Sequence, residues 1–240
     1  MKDVTKLDPI LQCKIKLLIS ECKKAGIIIQ TREALRTVAE QDALYAKGRT
    51  APGYIVTNAK GSSYSSMHMW GEAVDIVIFM DTDKDKDIDI NDLYCAKLMK
   101  KVGPIGQKIG LEWGGAWKSI VDYPHYQLPD WGSTPTKLKK MYGTPDKFFE
   151  TWWKVGKTYT LKVNSAIHNK ASSSGDSKVL LNKTKSAMKK ICKADSKGYA
   201  VMQKGSKFTL VDMKICTGYI MGKTNQGYWI PLYYNNKKRI

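Results

Sequence analysis

The sequence predicts an α+β domain over residues 1–155 followed by a small all-β module over residues 156–240. Three observations carry that division. The first part mixes apolar residues at helical spacing (Ile10, Leu11, Ile15, Leu17, Leu18, Cys22) with a run from Ala73 to Phe79 that is apolar on both faces and reads as a buried strand. The second part holds only short β-type runs, Tyr159 to Val163, Tyr199 to Met202, Phe208 to Val211 and Tyr228 to Leu232, separated by Gly, Asn, Lys and Ser. Charge divides at the same place: residues 1–155 carry 23 Lys and Arg against 19 Asp and Glu, whereas residues 156–240 carry 17 against 3.

With 240 residues, 42% of them hydrophobic, the chain can bury real cores and is comfortable as two domains. No apolar run reaches the roughly 18 residues of a membrane span, and the start, Met1 to Lys6, leads into an amphipathic segment instead of a signal region. The expectation is synthesis in the cytoplasm without a signal peptide. Five scattered cysteines with no CxxC pair read as reduced thiols and not as a disulfide frame. The net charge of +18, concentrated after residue 155, favours a polyanionic partner, either nucleic acid or the teichoic-acid-rich wall of a Gram-positive bacterium.

In order, the spacing predicts a helix from about Asp8 to Ala25, stopped by Gly26, and a strand at Ile27 to Ile29. Arg36 stands just before a second helix, Val38 to Ala46, and residues 48–66 read as a loop rich in Gly, Ser, Pro and Asn. After the buried strand, Asp81 to Asp92 places acidic residues at the ligand positions of an EF-hand-type calcium loop. Lys86 stands where the sharp turn wants Gly, and Asp92 replaces the bidentate Glu, so a solvated acidic loop is the default and a Ca2+ site the alternative. A helix is expected from about Leu93 to Ile109. Pro124 cannot donate to a sheet, so a strand should begin at His125 with His125 and Gln127 on one face. Ser172 to Gly175 is read as the first long loop of the second part, with an interdomain linker the alternative, and His168 as an ordinary loop residue.

The chemistry gathers in two clusters. His68 lies seven residues before Asp75, and Asp75 falls inside the buried strand. A bare buried carboxylate costs several kcal/mol, so Asp75 needs a positive partner. A metal shared with His68 is one solution; an Arg, or an edge strand that turns Asp75 to water, is the other. The second cluster is Asp122-Tyr123-Pro124-His125-Tyr126-Gln127. The chain has three histidines, and two of them fall in these clusters. Two imidazoles and one carboxylate make a three-ligand zinc set that leaves a fourth position for water, with Asp122 spare to take a proton.

Ser66-x-His68-x-x-Gly71-x-Ala73-x-Asp75, followed by Asp122-x-x-His125, resembles the signature of the zinc metallopeptidases that include D-alanyl-D-alanine carboxypeptidases and dipeptidases and the phage L-alanyl-D-glutamate endolysins. The surroundings resemble the endolysin branch: Arg36-Thr37 with Glu40-Gln41, Leu44-Tyr45-Ala46-x-Gly48-Arg49-Thr50, Val56 to Gly61, and Gly110-Leu111-Glu112-Trp113-Gly114-Gly115-x-Trp117. The likeness covers about residues 5–155. It departs at Ser62, where a second Gly is usual, and at Met69-Trp70, where an aromatic-Asn pair is usual; both bear on the groove and neither on a ligand.

That resemblance implies a D,D-peptidase/Hedgehog-like α+β fold and hydrolysis of the L-alanyl-D-glutamate bond of the peptidoglycan stem peptide. It implies Zn2+ on His68, Asp75 and His125, Asp122 as general base and Arg36 on the substrate carbonyl or carboxylate. Ser66, Trp113 and Gln127 would face the substrate and Trp117 would line the groove beside Trp113, with turn capping the other role for Ser66 and core packing the other role for both tryptophans. A D-alanyl-D-alanine carboxypeptidase and a non-catalytic zinc-stabilised wall-binding protein are the alternatives. The ending Gly227-Tyr228-Trp229-Ile230-Pro231, with Lys204 to Thr209, resembles bacterial Src homology 3-like barrels, which implies a cell-wall-binding domain for wall glycan or teichoic acid. On this reading the protein reaches the wall after release through a membrane pore, has no membrane anchor, and gives nucleic acid no role.

Overall fold

The structure is a computed structural model describing residues 2–172 and 174–240. The chain divides into two compact units, Met1–Trp152 and Trp153–Ile240. Ser173, within the loop expected at Ser172 to Gly175, lies outside the described residues. Among the described residues no helix is long and apolar enough to cross a membrane.

The first unit opens with α1 (Pro9–Lys24). Asp8 caps it, its carboxylate accepting from the Ile10 N–H at 2.6 Å, and Pro9 sits at a position whose N–H has no intrahelical partner. Strand β1 is Ile29–Glu33, displaced from the expected Ile27 to Ile29. The apolar run misleads there because Ile28 is half exposed, while Ile29 and Thr31 point inward at the strand's period of two. Helix α2 (Val38–Ala46) starts with a reciprocal capping box between Thr37 and Glu40. Residues 47–66 are loop apart from a 3-10 turn at Gly61–Ser63. A Cβ on Gly61 would stand 2.4 Å from the Val38 carbonyl oxygen, so this approach admits glycine alone.

Strand β2 (Ala73–Ile78) is the buried strand the sequence predicts. The single helix expected over Leu93 to Ile109 is two pieces, α3 (Ile90–Leu93) and α4 (Ala96–Lys108). Asp89 and Asp92 form their own capping box and nucleate the short α3, which ends at Tyr94 before Cys95 begins α4. Strands β3 (Glu112–Trp113) and β4 (His125–Gln127) are followed by α5 (Thr136–Tyr142) and α6 (Pro145–Phe149). The four strands form an antiparallel sheet in the order β1-β2-β4-β3. Helix α4 lies tightly on that sheet because it presents glycine at the contacts: a Cβ on Gly103 would come within 2.4 Å of Trp113, and one on Gly106 within 2.5 Å of Tyr126. A second cluster joins Met67, Met69, Trp70, Leu138 and Phe148. Burying each such side chain contributes about 1.5–3 kcal/mol, and this cluster fixes the turn that carries His68.

Among its described residues, the regular structure of the second unit is strand apart from short helical turns and α7 (Ser186–Lys189). Its strands are β5 (Thr158–Thr160), β6 (Ser165–Ala166), β7 (Cys192–Ala194), β8 (Ala200–Met202), β9 (Lys207–Ile215), β10 (Tyr219–Thr224), β11 (Trp229–Tyr234) and β12 (Lys237–Lys238). They make a five-stranded sheet, β12-β11-β10-β9-β5, and a three-stranded sheet, β6-β8-β7. His168 is not the ordinary loop residue expected. It is buried, its backbone bridges Lys178 and Trp229, and its Nδ1 lies 2.6 Å from Ser177 Oγ. Its short strand partners were invisible to a reading by hydrophobic runs.

Candidate metal centre

Sheet register assembles the site. Cross-strand partners project to the same face, and β2 pairs with β4 so that Asp75 faces His125 and Ala73 faces Gln127. His68 arrives from the 3-10 turn Met67–Trp70, which Gly71 ends in a left-handed conformation, φ 67°. The result is a triangle. His68 Nε2 lies 3.2 Å and His125 Nδ1 3.3 Å from Asp75 Oδ1, and the two ring nitrogens are 3.3 Å apart.

The outer nitrogens are spoken for. His68 Nδ1 lies 3.0 Å from the Ala34 carbonyl oxygen and His125 Nε2 lies 2.9 Å from Gln127 Oε1. Both outer partners accept, so the outer nitrogens carry the protons and the inner nitrogens of the neutral rings present lone pairs. Three lone-pair donors then converge, and Asp75 Oδ1, though buried, makes no hydrogen bond of good geometry. Such convergence suits a cation. A tetrahedral zinc with bonds of about 2.0–2.1 Å separates its ligand atoms by about 3.3–3.4 Å, which is the spacing of this triangle. The group His68, Asp75 and His125 can hold a metal ion.

Around it lies a cavity of about 620 Å³, whose lining includes Arg36, Ser66, His68, Asp75, Asp122, His125 and Gln127. Asp122 is placed by its backbone, whose N–H donates to the Gly114 carbonyl at 3.1 Å. A Cβ on Gly114 would stand 2.6 Å from the Asp122 carbonyl oxygen, so glycine lets that turn close. Arg36 is held by Gln41, whose Oε1 accepts from Nη1 at 2.9 Å, and by Glu33 Oε2 at 3.7 Å from Nη2. Gln41 is fully buried and its amide nitrogen donates to Thr57 Oγ1 and to the Ala59 carbonyl, tying the loop to the same residue. Sequence reasoning assigned Gln41 no role of its own; its place on α2, five residues after Arg36, was the available signal.

The electrostatics follow from the same contacts. Burial alone would raise the Asp75 carboxyl, but the adjacent His68 and His125 rings outweigh it and hold the group far below the usual carboxylate range. Burial lowers His125, and its contacts with Asp75 overcome this and raise it. Asp122 is raised, by burial first and by the Asp75 charge second, against the pull of His125, His68 and Arg36.

The remaining expected residues fall on both sides of the cavity wall. Ser66 lines the cavity and its side chain makes no capping hydrogen bond. Trp113 does not reach the cavity: its ring is buried between Gly103 and Gly115 and its Nε1 donates to the Tyr123 carbonyl at 2.8 Å. Of the two tryptophans, Trp117 lines the cavity, its ring 5.0 Å from that of His125. Gln127 borders the cavity, yet its amide is fully engaged, Oε1 with His125 and Nε2 with Glu112 and the Gly132 carbonyl. In the acidic loop, Asp81, Asp83 and Asp85 bring carboxylate oxygens within 4.8 Å of one another. Asp92 is turned away, its oxygens accepting from Thr82 and from the Asp89 N–H.

Comparison with known proteins adds to this geometry. A family described as D-alanyl-D-alanine carboxypeptidase matches residues 59–128. The chain is 34% identical over 125 residues, 51% of its length, to the peptidoglycan L-alanyl-D-glutamate endopeptidase CwlK of Bacillus subtilis, and covers 73% of that protein. The chain belongs to this family of peptidases. The metallopeptidase is also 28% identical over 128 residues to the L-alanyl-D-glutamate peptidase of Listeria phage A118, covering 40% of it. A crystal structure of the Serratia marcescens L-Ala D-Glu endopeptidase ChiX aligns with 52% of this chain and 82% of that one at 24% identity. Its TM-score of 0.32 is too low to bear on the fold.

Proposed function

We propose that this metallopeptidase is a peptidoglycan hydrolase of the endolysin type that cleaves the L-alanyl-D-glutamate bond of the stem peptide, with zinc held by His68, Asp75 and His125. The observation that carries the reading is the triangle of donor atoms at 3.2–3.3 Å, opening on a cavity that Asp122 and Arg36 also line. The names of the bacterial and phage relatives support the bond assignment. Zinc in such a site supplies Lewis acidity, polarising a carbonyl and lowering the pKa of water to about 7. Asp122 takes a proton from the attacking water and returns it to the departing amine; its neighbours Asp75 and burial keep its proton affinity above that of an ordinary Asp. Arg36, held rigidly by Gln41, faces the oxygen on which negative charge develops, and in a partly enclosed cavity that charge is worth more than in bulk water. Ser66 offers the substrate a hydroxyl.

The second unit is a wall-binding, Src homology 3-like module in this reading, carrying its excess of Lys and Arg toward wall glycan or teichoic acid. The protein acts on the wall after passage through a membrane pore. The family description D-alanyl-D-alanine carboxypeptidase favours one alternative, removal of the terminal D-alanine by the same residues. Digestion of purified peptidoglycan separates the two: the proposal expects new D-glutamate amino termini, and free D-alanine without them would transfer the assignment to the carboxypeptidase.

A further inference from the structure

Behind His125 lies a chain of hydrogen bonds that leads away from the proposed metal through Gln127 to Glu112, which does not line the cavity. Strand β3 pairs with β4 so that Glu112 stands opposite Gln127. Glu112 Oε2 accepts from Gln127 Nε2 at 3.2 Å, and Glu112 Oε1 accepts from Trp117 Nε1 at 2.7 Å. Gln127 is fully buried, its Nε2 also donates to the Gly132 carbonyl at 3.2 Å, and its Oε1 lies 2.9 Å from His125 Nε2.

The donor and acceptor logic runs in one direction. A carboxylate only accepts, so Glu112 and the Gly132 carbonyl together require the NH2 end of Gln127. The oxygen of Gln127 must then face His125. A carbonyl oxygen requires a donor, so His125 carries its proton on Nε2 and leaves Nδ1 bare toward Asp75 and His68. The same carboxylate grips the indole N–H of Trp117, whose ring lies against the His125 ring at 5.0 Å and 46°. One side chain thus controls both the tautomer and the tilt of a proposed ligand.

We propose that Glu112 is a positioning residue for the metal centre, selecting the Nδ1-ligating form of His125 through Gln127 and holding the ring in place through Trp117. The inference rests on the zinc reading of His68, Asp75 and His125. Partners behind a metal-bound imidazole commonly change metal affinity 10- to 100-fold when removed. Glu112→Gln sets an NH2 group against one of two donors, Trp117 or Gln127. Gln127→Glu sets two carboxylates against each other. The double variant Glu112→Gln/Gln127→Glu exchanges the amide and the carboxylate: the introduced amide can accept from Trp117 and donate to position 127, which still accepts from His125, and only the bond to the Gly132 carbonyl is not remade.

The test is zinc affinity by competition with a chromophoric chelator, alongside 15N NMR of histidine-labelled, zinc-loaded protein and a thermal melt for each variant. The expected result is one zinc per wild-type chain, abolished by Asp75→Ala, and a His125 ring signal with its proton on Nε2. Each single variant should weaken zinc binding about 10- to 100-fold and lose or broaden that signal while the fold still melts cooperatively, and the double variant should bind zinc more tightly than either single variant and regain the signal. Unchanged affinity and an unchanged Nε2–H signal in both single variants overturn the proposal, as does a double variant whose losses simply add. A wild type that binds no zinc overturns the underlying metal reading, and the positioning role with it.

Discussion

Gln41→Ala is the perturbation that tests how Arg36 is held. Gln41 is fully buried and makes three hydrogen bonds, to Arg36 Nη1 at 2.9 Å, the Ala59 carbonyl at 2.8 Å and Thr57 Oγ1 at 3.2 Å. A neutral bond contributes about 1 kcal/mol net and one to a charged group about 1.5–3 kcal/mol. Thr57 and Ala59 line the cavity, so water entering the space left behind can satisfy them and reduce the loss. The net cost should be about 2–3 kcal/mol, a fall in Tm of roughly 4–10 °C for a unit of this size. The catalytic effect is separate. Arg36 keeps only Glu33 at 3.7 Å, so its guanidinium no longer points reliably into the cavity. Turnover should drop by about 10- to 100-fold, somewhat less than the roughly 10²- to 10³-fold lost when a preorganised oxyanion donor is removed outright, with a smaller change in KM. Thermal unfolding and release of new amino termini from peptidoglycan measure the two effects. A variant with wild-type turnover would refute the claim that Gln41 aims Arg36.

The other predictions concern metal, packing and pH. Zinc at about 100 times its Kd should stabilise the protein by about 2.7 kcal/mol, raising Tm by roughly 5–10 °C, and chelation or Asp75→Ala should abolish the shift; an equal shift in Asp75→Ala would mean zinc binds elsewhere. Gly103→Ala places a methyl 2.4 Å from the Trp113 ring, which Gly115 also approaches closely and whose N–H the Tyr123 carbonyl holds. Overpacking of that kind should cost about 3 kcal/mol, read as a lower denaturation midpoint, whereas Gly26→Ala, with open space at its Cβ, should lose only the cost of its left-handed φ of 75°. Burial, and then the Lys178 charge, push His168 down to about 4, against about 6.5 in the unfolded chain. Between those values the unfolded chain binds the extra proton, so stability is full above about pH 6.5 and falls as pH drops toward 4. After allowance for solvent screening the loss is on the order of 1–2 kcal/mol. Denaturant unfolding at several pH values should show this slope in wild type and a flatter one in His168→Gln.

Much of the site was legible because its parts are close in sequence. His68 and Asp75 sit on one turn and the strand that follows it, and Pro124 fixed the start of the strand that bears His125. What stayed hidden depends on register and turn geometry. Glu112 and Gln127 are 15 residues apart, and only the pairing of β3 with β4 sets them side by side. Gln127 therefore looked like a groove residue, although its amide is consumed behind His125. Trp113 and Trp117 are alike in composition and differ by their elements: the strand sends Trp113 into the core between two glycines, and the 3-10 turn at Gly114–Ala116 turns Trp117 to the cavity. The expectation that His168 is an ordinary loop residue fails because its burial comes from isolated bridges to distant segments, a pattern that no hydrophobic period reports.

The most direct test of the central claim is digestion of purified peptidoglycan by the zinc-loaded protein and by Asp122→Ala, with every new amino terminus identified and the zinc content of both measured. The account predicts new D-glutamate amino termini from wild type, and from Asp122→Ala a full complement of zinc with cleavage reduced by about 10²- to 10⁴-fold, the usual worth of a general base. Undiminished cleavage by the zinc-loaded variant would contradict the role of Asp122, and no cleavage of any susceptible wall by zinc-loaded wild type would contradict the hydrolase itself.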